Sequence, residues 1–394
     1  MKKKRILLLS EGFGAGHTQA AHALAISLRR HSNNVRTRVM ELASFLHPTV
    51  VPAIISAYHK ALMKTPKLYG KLYRAKYDKM LGRFSQLALH RLFYRQAAEV
   101  IRHMRPDIII CTHPFPNAVI ARLKRSGLTV PLCTVITDYD AHGAWISREA
   151  NTYLVSTEKV KRKLLQHGIA PEQIKVTGIP VHPDFWTQPD RNMIRGKFGL
   201  KDMPTALVMG GGFGIVSQWE LLEKLASWRD RVQLIFCLGK NEKLLAKLQE
   251  NEQFRHENIR LLGFTKEVDQ LMEVSDVLIT KPGGVTCSEG MAKGIPMLFL
   301  SPIPGQEEEN CQHFTSLGVA DRLESLEDVD TWFDLLVNRY EEFLERRERN
   351  RTLAARYRPE HWTRAILQLV GCEEEPQFSP GLSPASSPTS ATQL

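Results

Sequence analysis

A chain of 394 residues carries 53 Lys and Arg against 42 Asp and Glu, a formal charge of +11. That length has room for two or three domains with separate cores. No apolar run reaches the 18 or so residues that span a bilayer, and the KKKR start is followed only by ILLL before Ser10 and Glu11, which argues against a transmembrane helix and a signal peptide. The six cysteines (Cys111, Cys133, Cys237, Cys287, Cys311, Cys372) form no CxxC pair and mostly lie in or beside apolar runs, the pattern of reduced packing residues in a cytosolic protein and not of a zinc site.

Strand-like and helix-like stretches alternate, which predicts an α/β protein with parallel sheets. The first strand is RILLLS, followed by the glycine turn GFGAGH, a helix from Thr18 to Arg30 and the strand VRTRVMEL. The turn imitates a dinucleotide fingerprint, but Gly12, Gly14 and Gly16 alternate and His17 stands where the last glycine belongs. Glu41 at the end of the second strand keeps a nicotinamide site as a minor reading. A helix N-terminus disfavours the imidazolium, so His17 is expected to be neutral and able to accept a proton; a surface histidine without a task is the alternative.

From Lys60 to Arg105 there are twelve Lys and Arg against Asp78 and Glu99, so nearly all the excess charge is local. Lys67, Lys71, Arg74 and Lys76 interleave with Tyr69, Tyr73 and Tyr77, a pattern that suits an anionic membrane surface, single-stranded nucleic acid or a merely solvated basic face. The short apolar runs DIIICT, LCTVIT and TYLVST then read as buried strands, and KVTGIPV closes a first domain near residue 180, with a hinge at Pro180 to Pro189.

A second domain opens with TALVM, after which Gly210, Gly211, Gly212 and Gly214 permit close approach of backbone to phosphate, and a helix is expected from Ile215 to Ala226. QLIFCLG, IRLLGF and VSDVLIT follow as strands. Pro282, Gly283 and Gly284 turn the last of them into a helix expected near Thr286, where Glu289 either meets a ligand or completes a capping box. MAKGIPMLFLSPIPG adds another strand, with Gln306, Glu307 and Asn310 at its carboxyl end, the edge at which open α/β sheets bind ligands. Glu307 could also simply cap the next helix. The chain is helical and charged from about Trp332 to Leu353, RAILQLV forms a last helix, and the Pro- and Ser-rich stretch from Glu373 is expected to be disordered.

GFGAGHTQAA, PDIIICTHP, VITDYDAHGAW, KVTGIPVHPDF, MGGGFG, LGF, KPGGVTCSEG and PGQEEEN, in this order between about Arg5 and Val370, resemble the GT-B glycosyltransferases. The resemblance is to the branch of monogalactosyldiacylglycerol synthases and processive diacylglycerol glucosyltransferases, with the lipid-linked GlcNAc transferase of peptidoglycan synthesis as the alternative. It implies two Rossmann-like domains facing across a cleft, residues 1–180 on the acceptor and membrane side and 181–355 on the UDP-sugar side, with a helix at 356–372 crossing back and a tail at 373–394.

By the same resemblance, His17 is the base, with Asp138 as a second candidate. Gly16, His142 and Trp145 lie on the acceptor side. Gly211, Gly212, Phe213, Gly283, Gly284, Val285 and Thr286 form the donor-side turns. Phe264 lies at the uracil, Glu289 holds the ribose, and Gln306, Glu307 and Asn310 meet sugar or phosphate. The reaction implied is inverting and metal-independent: transfer of a hexose, glucose before galactose, from UDP to diacylglycerol at the inner face of the cell membrane. No cofactor and no nucleic-acid partner is expected. Asp138 and Asp140 imitate a metal-binding DxD, which is discounted because the donor motifs lie far downstream. His113 and His182 have weaker claims to the cleft.

Overall fold

The computed structural model describes residues 3–64, 93–210 and 218–372. Two six-stranded parallel sheets organise them. The first comprises β1 (Lys4–Ser10), β2 (Val35–Glu41), β3 (Ile108–Cys111), β4 (Leu132–Val135), β5 (Thr152–Val155) and β6 (Ile174–Val176) in the order β2-β1-β3-β4-β5-β6. The second comprises β7 (Thr205–Met209), β8 (Gln233–Cys237), β9 (Ile259–Leu262), β10 (Val277–Thr280), β11 (Met297–Phe299) and β12 (Ala320–Arg322) in the order β12-β11-β10-β7-β8-β9.

Sequence pattern explains the placement of strands. IIIC of β3 and VLIT of β10 are buried along their whole length, as strands covered on both faces must be, and they sit inside their sheets. VRTRVME of β2 alternates buried and outward residues and lies at an edge, where Arg36 and Arg38 discourage further pairing. Leu8 of β1 is in register with Val39 on one side and Ile110 on the other.

Strand order reverses between β1 and β3 in the first sheet and between β7 and β10 in the second. A crevice opens at the carboxyl ends of strands at such a reversal. Ser10 to His17 and Thr112 lie at the first crevice, and Lys281 to Gly284 at the second, so topology alone sets the glycine turns of the two domains at the places where a ligand fits.

The Pro359–Leu369 helix returns to the first domain, where Trp362 and Ile366 are fully buried with Ile6, Leu8 and Leu24. On the linker side, Arg30 pairs with Asp184 at 2.9 Å. The Lys293 ammonium donates to the Thr187 carbonyl (2.7 Å) and pairs with Glu273, fastening the linker to the end of the Gly284–Lys293 helix. The first helix spans Ala15–His31 and so starts earlier than expected, because extended Gly14 serves as its N-cap. The charged stretch after Leu326 is two helices, Glu327–Asn338 and Tyr340–Ala354. The tail from Glu373 lies outside the described residues.

Candidate active site

His17 stands in the first turn of the Ala15–His31 helix, directly beyond the glycine turn that leaves β1. Its Nδ1 is 3.1 Å from the Thr112 carbonyl and 2.6 Å from the Thr137 hydroxyl. A carbonyl can only accept, so Nδ1 bears the hydrogen and Nε2 is left as an unprotonated acceptor. Thr112 holds the backbone as well, its hydroxyl donating to the His17 carbonyl (2.9 Å). Burial lowers the His17 pKa to about 4, although the Thr112 hydrogen bond opposes the shift. The ring is therefore neutral, with burial as the principal cause.

Packing gives Trp145, His113 and His182 structural tasks. Trp145 is fully buried, with its ring 6.0 Å from that of His17, so it forms a wall behind the imidazole and offers no surface to an acceptor. His113 packs edge-on against His17 at 4.7 Å and caps the Pro114–Arg125 helix, its Nδ1 accepting from the Phe115 N–H. His182 likewise accepts from the Asp184 N–H at the start of the Pro183–Trp186 turn, which gives it a structural task. His142 is half-buried, and burial lowers its pKa to about 4, with repulsion from His17 adding to the effect.

Asp138 and Asp140 do not converge. Asp140 pairs with Lys163 at 3.2 Å, while Asp138 accepts from the Gln306 amide (2.9 Å) across the interdomain cleft. Burial raises the Asp138 pKa to about 7. Gln306, read from sequence as a donor ligand, thus holds a candidate acceptor-side carboxylate.

On the donor side, the Gly284–Lys293 helix starts two residues before Thr286, with Gly283 as N-cap and no side-chain cap, so the capping-box role of Glu289 is not realised. The first N–H groups of this helix have no intrahelical partner and face the crevice after β10. Glu289 is half-buried and makes no hydrogen bond among the described residues; burial raises its pKa to about 8. Phe264, at 60% exposure just after β9, leaves a ring face free. Thr286 is half-buried.

Two glycines bring the domains together. A Cβ on Gly284 would lie 2.4 Å from the Thr137 carbonyl, and one on Gly16 3.2 Å from Val285 Cγ2. Gly16 and Val285 are therefore a contact between domains, with the Val285 side chain packed on the glycine.

Asn310 and Glu307 are engaged by protein. The Asn310 amide accepts from the Tyr139 N–H of the first domain (2.9 Å) and donates to the Pro282 carbonyl of its own domain (3.1 Å), so both ends of it are engaged by protein where a sugar contact was expected. Glu307 accepts from the Ile303 N–H (2.7 Å), and Glu308 accepts from the Gly305 N–H at the start of the Gln306–Ser316 helix. Gly211, Gly212 and Phe213, and the expected membrane-contact residues Lys67, Tyr69, Lys71, Tyr73, Arg74 and Lys76, lie outside the described residues.

Sequence reading missed Thr112 and Thr137, which orient the His17 ring, and Glu11, which is fully buried in the turn before His17. One Glu11 oxygen accepts from the Ala43 N–H, the other has no partner among the described residues, and burial raises the pKa to about 8. Glu41 accepts from the Thr18 hydroxyl (2.8 Å). A Ser-Glu pair ending an apolar strand was the available signal for Glu11. No local signal marks the threonines, which meet His17 only through sheet topology.

Comparison with known proteins matches this arrangement in both halves. Residues 17–181 match the model of monogalactosyldiacylglycerol (MGDG) synthase, and residues 205–355 that of the glycosyltransferase family 28 C-terminal domain. A processive diacylglycerol beta-glucosyltransferase of Bacillus licheniformis is 32% identical over 87% of this chain and 85% of its own length. One of Bacillus thuringiensis is 30% identical over 99% of each chain. Similar folds occur in the glycotransferase of kitacinnamycin (13% identity, TM-score 0.61, 94% of this chain and 100% of that one) and in Acinetobacter baumannii MurG (15% identity, TM-score 0.54, 93% and 99%). With GT-B architecture, family models matching both halves and a relative aligned over 99% of each chain, the chain belongs to the glycosyltransferase family of the processive diacylglycerol beta-glucosyltransferases.

Proposed function

We propose that the protein is an inverting, metal-independent transferase that moves a hexose, with glucose preferred over galactose, from its UDP-sugar to the 3-hydroxyl of diacylglycerol, and that repeated rounds extend the glycolipid. The observation that carries this reading is the neutral His17, with Nε2 free and its helix packed through Gly16 against the first turn of the donor-side helix. The names of the relatives supply the acceptor class and the choice of glucose.

In this reaction the acceptor oxygen bonds to the anomeric carbon as the bond from that carbon to the diphosphate breaks. UDP departs with the electron pair, and the acceptor proton goes to His17 Nε2. Unpartnered N–H groups at Gly284, Val285 and Thr286, together with the glycines at 211 and 212, stabilise the charge that develops on the diphosphate. Glu289 takes the ribose diol, since a carboxylate accepts two hydrogen bonds. Phe264 offers its exposed ring to the uracil. Diacylglycerol lives in the bilayer, and no helix among the described residues is long and apolar enough to cross a membrane. The basic segment after Lys60 therefore serves as the contact with an anionic surface, on the inner face of the cell membrane.

A panel of radiolabelled UDP-glucose, UDP-galactose and UDP-GlcNAc, against diacylglycerol and a lipid-linked muropeptide, tests the reading. Glucose transfer to diacylglycerol is expected. Transfer of GlcNAc to the muropeptide alone would replace it with the peptidoglycan reaction.

A further inference from the structure

We propose that Tyr139 is the positioning residue that registers the base His17 against the donor, and the proposal rests on the transferase reading above. Tyr139 belongs by sequence to the first domain, two residues beyond Thr137, whose hydroxyl meets the His17 ring. Its own ring is buried in the core of the second domain with Met291, Cys311 and Phe314. It stacks on His313 with ring centres 4.5 Å apart and meets Phe314 edge-on at 4.6 Å.

Both polar groups of Tyr139 reach donor-side elements. Its phenol oxygen is 2.8 Å from Ser288 Oγ. Ser288 donates its only hydroxyl hydrogen to the Gly284 carbonyl (2.7 Å), so the phenol must be the donor of the first bond. The tyrosine is thereby tied to the first turn of the helix whose N–H groups face the diphosphate. The Tyr139 N–H meanwhile donates to Asn310, which in turn donates to the carbonyl of Pro282 in the donor turn.

A short covalent stretch, Thr137 to Tyr139, consequently links the side chain that orients the base to two anchors on the donor side. Asp138, between them, is held across the cleft by Gln306 of the second domain. Shifting this stretch by a fraction of an ångström changes the distance from His17 Nε2 to the anomeric carbon without altering either half-site. Displacement rates are steep in that distance, so a misplacement of about 1 Å can cost on the order of a hundredfold.

Tyr139→Phe keeps the buried ring and removes only the phenol, and it is the decisive variant. Transfer at saturating UDP-sugar should fall roughly tenfold while the Kd for UDP stays within about twofold of wild type. The ratio of UDP released to glycolipid formed should rise several-fold, because water can attack the anomeric carbon of a donor that the acceptor no longer meets squarely. Ser288→Ala should reproduce the effect, and the double variant should be no worse than either single one. Independently of turnover, bound UDP should protect the backbone amides of residues 137–140 from hydrogen exchange in wild type and much less in Tyr139→Phe.

A Tyr139→Phe enzyme that is less heat-stable but keeps the wild-type partition ratio and the UDP-dependent protection would show a purely structural tyrosine and overturn the proposal. A wild-type protein that neither binds UDP nor releases it from any UDP-sugar would refute the transferase reading, and the proposal with it.

Discussion

His17 Nδ1 and the Thr137 hydroxyl lie 2.6 Å apart although 120 residues separate them in sequence. Where a carboxylate beside the imidazole would strengthen the base, this site has a hydroxyl and a carbonyl. The base is correspondingly weak in the resting protein, with a pKa near 4. In the proposed reaction it would gain the acceptor proton as the glycosidic bond forms, when the hydroxyl itself becomes acidic.

The two candidate bases predict different pH profiles. A base must be unprotonated, so activity falls as pH drops through its pKa. With His17 as base, turnover at saturating donor should hold from pH 8 to below 6 and fall only toward pH 4. With Asp138 as base, the fall would centre near pH 7. His17→Ala should lower turnover by roughly a hundredfold or more with little change in UDP affinity. Glu289→Ala should do the opposite, mainly weakening UDP. A midpoint near 7 that persists in His17→Ala would transfer the role to Asp138.

Approach of the two domains depends on a missing side chain at Gly284. An alanine methyl there would collide with the Thr137 backbone carbonyl, which has no flexible end to move. Gly284→Ala should therefore reduce activity to a few percent or less while each domain stays folded, and small-angle scattering should record a larger radius of gyration. Gly16→Ala meets only a valine side chain at 3.2 Å, and Val285→Ala should restore much of its lost activity. Equal damage from both glycine variants, unrelieved by Val285→Ala, would contradict this account.

Glu11 makes stability depend on pH in the alkaline direction. Its folded pKa, about 8, lies above the ordinary carboxyl value of 4.5, so the folded state holds a proton that the unfolded chain releases. The contribution is fully present below the unfolded pKa and is lost as pH rises through about 8. Its size is on the order of a few kcal/mol, because each tenfold difference in proton affinity between the folded and unfolded chain is worth about 1.4 kcal/mol. Glu11→Gln cannot ionise, so its melting temperature should fall less than that of wild type between pH 6 and 9, whatever the offset at pH 6. Parallel melting curves for the two proteins would show that Glu11 does not titrate in this range.

Membrane contact through the basic segment should be electrostatic at long range. Replacing Lys67, Lys71, Arg74 and Lys76 with Gln should release the protein from anionic vesicles in co-sedimentation, since each cation near such a surface contributes on the order of 1 kcal/mol. UDP binding should be unaffected. High salt should act in the same way by shortening the screening length. Unchanged sedimentation of the four-Gln variant would leave the basic face as merely solvated and require another entry surface for the lipid.

Much of this was legible in the chain itself. Apolar runs such as IIIC and VLIT marked strands covered on both faces, and glycines at 283 and 284 marked the donor turn, because each signal is local. Trp145 and Asn310 were misread for the opposite reason. An indole and an amide suit a ligand as well as they suit a wall or a bridge, and only the approach of distant segments decides between those tasks. Thr112, Thr137 and Tyr139 carry no sequence signature at all: their partners lie 95, 120 and 149 residues away. Fold is thus written mainly in periodicity, whereas the fine orientation of the base is written in topology.

The return of the Pro359–Leu369 helix fixes the order in which the molecule can be completed. Ile6, Leu8 and Leu24 precede the second sheet in the chain, yet Trp362 and Ile366, which share their core, follow it. The carboxy-terminal sheet draws all its strands from one contiguous stretch and can close while the first sheet still has part of a face bare. Domains generally finish from the amino terminus onward during synthesis. Here the core of the first sheet is completed only by a helix that follows every strand of the second.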